Sequence, residues 1–324
     1  MKKTMAITLC ILLAISMLFV GCGKADAKLK FGAGVYISAP TTTDATADKD
    51  GSGKVDLTVA AVSVDADGKI VACALDTASN TVGFTADGKA VANAEFKTKY
   101  ELGNDYNMVA YGGSVKEWFE QADAFESVVA GKTLDEVKAM VVDGKGNDDV
   151  IAAGCTIAVT EFVGAIEKAY NAAKESDVTA NDTLKVTAAT EQTCTDATAE
   201  KDGTNKVSTT VFAAAVNADG KVVAASSDCV EVSFSFTAKG VSTLDTAKAV
   251  LSKKEQGADY GMVAYGGSAK EWFEQAAAFD AACIGKTAAE IAGLVAEDGK
   301  GVSDLQAAGC TIYVTGFVKA ASKL

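Results

Sequence analysis

The 324-residue chain carries 30 Lys and Arg against 43 Asp and Glu, a net charge of −13, and it contains no histidine. A surface this acidic repels nucleic acid and anionic lipid head groups. Without histidine, His-based triads, His metal sites and the usual general base near neutral pH are excluded, whereas chemistry supplied by a cofactor is not.

Residues 1–21 have the layout of a secretory leader: Lys2 and Lys3, an apolar run over 5–20, then Gly21-Cys22. A small residue followed by Cys resembles a bacterial lipoprotein cleavage site, with Cys22 as the acylated residue. Phe19 stands where that pattern usually carries Leu. The alternative is an uncleaved anchor helix, for which the run is short. The expectation is a lipid-anchored protein on the outer face of a membrane, with residues 22–30 as a tether. Loss of Lys2 and Lys3 would take the charge from −13 to −15.

The first half, 31–174, opens with strands. Residues 54–64 alternate through Val55, Leu57 and Val59, and the Asp67-Gly68 pair predicts a hairpin turn back into a strand over 70–75. Further on, Trp118, Ala122, Phe125 and Val129 recur at spacings of four, three and four, which predicts an amphipathic helix with Ser114 as its N-cap. Gly131-Lys132-Thr133 ends that helix and starts another over 134–142. An apolar strand over 155–159 and a helix over 160–174 close the half, and the polar stretch 175–183 reads as a linker.

The second half, 184–324, repeats the first. VAYGGSVKEWFEQA at 109–122 answers VAYGGSAKEWFEQA at 263–276, the only difference being Val115 against Ala269. TDATADKDG at 43–51 answers TDATAEKDG at 195–203, and AAGCTIAV at 152–159 answers AAGCTIYV at 307–314. The repeat unit is therefore domain-sized. Strands are predicted over 207–216, 221–225 and 230–237, the first two joined by a turn at 217–220. The resulting class is α+β: two tandem homologous domains, each a small antiparallel sheet with helices and a C-terminal strand–helix unit.

Besides Cys10 in the leader and Cys22, six cysteines remain, none in a CxxC pair, so a zinc or iron–sulfur site is not indicated. Cys194 and Cys229 flank one predicted hairpin and are candidates for a disulfide; alternatively all six are small buried apolar residues. The segment 48–53 lacks the closing Glu of a calcium loop and reads as a solvated turn. Gly112-Gly113-Ser114 before a helix suits a phosphate, with Lys116 and Lys270 nearby, although both lysines equally suit pairing with Glu120 and Glu274. Trp118 and Trp272 serve either as a stacking wall or as helix core.

The most specific motif is AlaGlyCysThr at 153–156 and 308–311. With upstream acids Asp149 and Asp304, and Gly34-Val35-Tyr36 and the 64–70 hairpin earlier, it resembles the FMN-binding domain family of exported bacterial flavoproteins. Several members of that family carry FMN joined by a phosphodiester to a threonine hydroxyl, attached by a separate flavin transferase. The resemblance implies attachment at Thr156 and Thr311, close backbone approach at Gly154 and Gly309, and a ring wall from Trp118 and Tyr111 or from Trp272 and Tyr265. It further implies a membrane electron donor as partner, and a redox carrier rather than a catalyst. Cys155 and Cys310 replace the family's Ala, and Ala153 and Ala308 replace its Ser or Thr. The alternative function is a non-redox surface lipoprotein, binding or structural, with a degraded flavin site.

Overall fold

In the computed structural model, which describes residues 26–324, the two halves run through one series of elements. The leader and Cys22 lie outside the described residues. The first half comprises strands β1 (Leu29–Ile37), β2 (Thr41–Thr43), β3 (Gly51–Val64), β4 (Ile70–Phe84) and β5 (Ala90–Val91), then α1 (Lys99–Leu102), α2 (Trp118–Val129) and α3 (Leu134–Lys138). The short β6 (Val141–Val142) and β7 (Lys145–Gly146), α4 (Asp148–Ala153), α5 (Thr160–Asn171) and β8 (Lys174–Val178) complete it. The second half comprises β9 (Thr183–Thr195), β10 (Gly203–Val216), β11 (Val222–Phe236), α6 (Lys253–Gln256), α7 (Trp272–Cys283), α8 (Ala288–Ile291), α9 (Ser303–Ala307) and α10 (Thr315–Ala321). The class is α+β. The first sheet has the order β5-β4-β3-β1-β8, with β2 beside β3, and the second β11-β10-β9. All their strand pairs are antiparallel.

The central strands β3 and β10 are buried on both faces over their second halves, which hides the period-2 pattern there. In β3, Ala60, Val62 and Val64 face α2 and α5, together with Trp118, Phe125, Phe162 and Ile166. Val55, Leu57 and Val59 point the other way, into an apolar layer that also holds Val207, Val211, Val230 and Phe234 of the second half. In β10, Phe212, Ala214 and Val216 meet α7 and α10, while Val207 and Val211 join the shared layer. The layers therefore run helices, sheet, sheet, helices, and each sheet supplies the cover for the other's inner face.

The two sheets meet about a pseudo-twofold axis. Phe84 and Phe236, equivalent residues, stack with centroids 4.6 Å apart and planes 4° from parallel. Around them the repeated TDATA segments clasp the opposite half. Ala45 N donates to Gly240 O at 2.8 Å, and Ala197 N to Gly88 O at 2.8 Å. Ser242 N donates to Asp44 Oδ1 at 2.8 Å, and Ala90 N to Asp196 Oδ1 at 2.9 Å. The symmetry is broken by matched exchanges. Gly53 lies under the Phe234 ring, where a Cβ would stand 2.2 Å from it, whereas the equivalent Asn205 donates across to Gly83 O at 2.7 Å, beside the smaller Val82. Buried Asn80 donates to Thr209 Oγ1 at 2.9 Å and accepts from Thr190 at 3.1 Å. The equivalents of Asn80 and Thr209 are Val232 and Leu57, both apolar.

Several boundaries differ from those read in the sequence. The hairpin strands extend to Phe84 and Phe236, and the strands expected at 221–225 and 230–237 are one continuous β11. Pro40, with no N–H to offer, separates β1 from β2 where the second half runs unbroken as β9. The helix expected over 134–142 stops at Lys138, and that over 160–174 stops at Asn171. Within the stretch 175–183 expected as linker, residues 175–178 belong to β8, which pairs with β1. The segment 155–159 is not a strand. Gly154 turns the chain at φ +107° as the α4 C-cap, and the Thr156 N–H then goes to a side chain instead of a neighbouring strand. The six cysteines are free. Cys194 on β9 and Cys229 on β11 lie on opposite sides of β10, which rules out the bridge between them.

Phe236 is fully buried against Phe84. Phe236→Ala is expected to cost about 3–5 kcal/mol, read as a lowered midpoint in a single urea unfolding transition of the whole chain.

Candidate functional site

In each half the predicted attachment threonine lies where two loops meet, Thr156 with Gln121 and Thr311 with Gln275. α2 begins at Trp118, with Glu117 at its N-cap instead of Ser114. Glu120 reaches back to accept from Glu117 N at 2.8 Å. The Glu117 carboxylate, itself buried, accepts from Met108 N at 2.9 Å and Val109 N at 3.2 Å, pinning the loop that carries Tyr111. In the second half Glu271 does the same for Met262 and Val263, at 3.0 and 3.3 Å.

One turn on, Gln121 is fully buried. Its amide Nε2 donates to Ser114 Oγ at 2.9 Å and Lys116 O at 3.1 Å. Its Oε1 accepts from both Thr156 N at 2.8 Å and the Thr156 hydroxyl at 3.0 Å. Gln275 repeats this with Ser268, Lys270, and Thr311 N and Oγ1, the last two at 2.8 and 2.9 Å. One buried side chain thus ties the Gly-Gly-Ser loop to the Gly-Cys-Thr loop in each half. Thr156 and Thr311 remain exposed with their hydroxyls oriented.

Gly154 and Gly309 adopt φ +107° and +102°, and a Cβ at either would lie 2.1 Å from the ammonium of Lys116 or Lys270. Each lysine therefore lies over its glycine, two residues from the threonine. Lys270 Nζ also approaches Ala308 O at 3.5 Å. Asp149 and Asp304 stand in the first turns of α4 and α9. Burial pushes the thiols of Cys155 and Cys310 up to about 11, so both are inert apolar filler at neutral pH.

The expected aromatic wall divides. Tyr111 and Tyr265 project into solvent, 88% and 90% exposed. Trp118 and Trp272 do not face the site. They are 2% and 4% exposed and pack edge-on or tilted against Phe162 and Phe317 at 5.7 and 5.6 Å. For an FMN phosphate the residues fit: an exposed, oriented hydroxyl, a lysine ammonium and a positive-φ glycine. The ring wall reduces to tyrosine.

Gln121 and Gln275 were not singled out from the sequence, although both stand in the repeated fourteen-residue segment. No protein-family model matches the chain, and no curated protein or solved structure matches it.

Gln121→Leu strands the Ser114 hydroxyl and the Thr156 N–H without their partner. It is expected to cost roughly 1–3 kcal/mol and to raise amide hydrogen exchange selectively at 107–116 and 154–158, measured by mass spectrometry.

Proposed function

We propose that the chain is a lipid-anchored electron carrier of the outer membrane face, with FMN esterified to Thr156 and Thr311 by a separate flavin transferase. One observation carries this reading. In both halves a buried glutamine orients an exposed threonine hydroxyl beside a lysine ammonium and a glycine of positive φ. A phosphodiester on that oxygen leaves one negative charge, which Lys116 or Lys270 would offset. Lack of a Cβ at Gly154 and Gly309 leaves room for that ammonium against the backbone, beside the threonine. Tyr111 and Tyr265, on loops fixed by Glu117 and Glu271, would offer a ring face to the flavin. The flavin, when bound, would supply the one- and two-electron chemistry. With the acyl group at Cys22, such a carrier would accept electrons from a membrane donor.

Burial of both tryptophans favours a second reading, a non-redox surface module. Here the same threonine–lysine surface would bind an anion reversibly or serve only to join the loops.

The two separate on the intact mass and visible spectrum of the mature protein produced with an active flavin transferase. Two FMN-sized additions are expected, one lost in Thr156→Ala and one in Thr311→Ala. A colourless, unmodified chain, in a host that flavinylates other proteins, would leave the non-redox module.

A further inference from the structure

A cleft of about 390 Å³ opens between the halves, lined by Ala74, Leu75, Asp76, Tyr100 and Glu126 of the first and by Leu184, Lys185 and Val186 of the second. Its two inner carboxyls are held by backbone donors. Asp76 accepts from Thr77 N at 2.7 Å and Tyr100 N at 3.1 Å, and Glu126 accepts from Leu75 N at 2.7 Å.

The second half contains the same cradle. Asp228 accepts from Cys229 N at 2.7 Å and Lys254 N at 3.1 Å, and Asp280 accepts from Ser227 N at 3.1 Å. The copies differ in their side chains: Ala74, Leu75, Tyr100 and Glu126 of the first are Ser226, Ser227, Lys254 and Asp280 in the second. The Lys254 ammonium enters the second cleft, 3.6 Å from Asp280 Oδ2 and 2.9 Å from Ser226 Oγ. In the first cleft the tyrosine hydroxyl turns away to Asp123, and no lysine is paired with Asp76 or Glu126 among the described residues. The protein itself therefore shows which group the cradle accommodates.

We propose that the first cleft binds a small organic amine, whose protonated nitrogen takes, beside Glu126, the place that the Lys254 ammonium occupies beside Asp280 in the other half. The walls beyond the carboxyls, Ala74, Leu75, Leu184 and Val186, suit an aliphatic body. Among the described residues no group of three acidic or thiol side chains is placed to hold a metal ion, whereas an ammonium is served by one carboxylate with a second nearby, as Lys254 is by Asp280.

Charge in the cleft is consistent with a cationic guest. From α2 come Glu126 and Asp123, from β4 Asp76, from α1 Glu101, and opposite them stand Lys185 on β9 and Lys323 after α10. The Lys323 charge is taken up by Glu101 at 2.7 Å. Burial, the largest cause, pushes Asp76 up to about 7 and Glu126 up to about 8. Both are thus neutral in the folded chain at mildly acid pH and ionise above it, while an alkylammonium stays protonated to about pH 10.4. Amine affinity rises with pH through this window. Without a guest, the folded state holds protons that the unfolded chain releases near pH 4, so these two groups make stability fall as pH rises from about 5 to 8.

The test is calorimetric titration of the mature chain with n-butylamine at pH 9 and pH 6, with 1-butanol as the neutral control. Expected are one saturable site, tighter at pH 9, and no heat with butanol. Glu126→Gln should weaken binding roughly thirtyfold or more. Tyr100→Lys should abolish binding by filling the cleft from within, and should raise the thermal midpoint. Lys254→Ala opens the second cleft, so the number of bound amines rises from one to two, independently of the first-cleft variants. Absence of saturable binding at pH 9, equal binding of butanol, or full binding by Tyr100→Lys would each overturn the proposal.

Discussion

The architecture depends on one constraint: each sheet has an apolar inner face that nothing in its own half covers. Val55, Leu57 and Val59 need Val207, Val211 and Phe234 as much as the reverse holds. Burial of such side chains yields about 25 cal/mol per Å² of apolar surface. The hydrogen bonds across the interface direct that force. The Asn80–Thr209–Thr190 cluster sits where the symmetry-related positions are Val232 and Leu57. A half placed against its own copy would bury Asn80 opposite Leu57 with no partner, a cost of about 1–3 kcal/mol. The polar exchange thus selects the first half's pairing with the second over pairing with itself.

The repeated fourteen-residue segment acquires a physical account position by position. Glu117 anchors the preceding loop, Trp118 and Ala122 enter the core, Glu120 caps the helix, and Gln121 joins two loops from a fully buried position. The one position that differs between the copies, Val115 against Ala269, is 87% exposed in the first. Retained charge here is therefore structural at Glu117 and Glu120, and available to a ligand at Lys116. The first cleft shows the converse. Copies that share every backbone contact to two acids differ in the side chains around them, and the exchange of Tyr100 for Lys254 decides whether a cation is built in.

Much of the fold was legible because local signals were strong. The Asp67-Gly68 turn and the apolar stripe from Trp118 to Val129 both appear in the structure. The failures have specific causes. Alternation at Cys155, Ile157 and Val159 imitates a strand, yet the positive φ of Gly154 and the Gln121 side chain take over its backbone hydrogen bonds. Two-sided burial erased the period-2 pattern over 59–64, so nothing in the sequence announced a second sheet across the inner face. Residues 175–178 read as polar linker because β8 is an edge strand, with only its last residue, Val178, buried. For the site, the motif and the repeat singled out the threonines and glycines, whereas Lys116 and Lys270 read equally as partners of Glu120 and Glu274. The buried state of the tryptophans and the role of Gln121 required the packing of loops far apart in sequence.

The stack of Phe84 on Phe236 joins residues 152 positions apart, and the clasp at Ala45 closes only on Gly240. During synthesis the inner face of the first sheet stays uncovered until β10 and β11 have emerged, three-quarters of the way along the chain. Contacts of such long separation form slowly, and an uncovered sheet face is prone to aggregate. A chain with this wiring closes only once both halves are present. The shared layer between the sheets therefore sets the order of events in the protein's biogenesis: the whole chain first, then the joined structure.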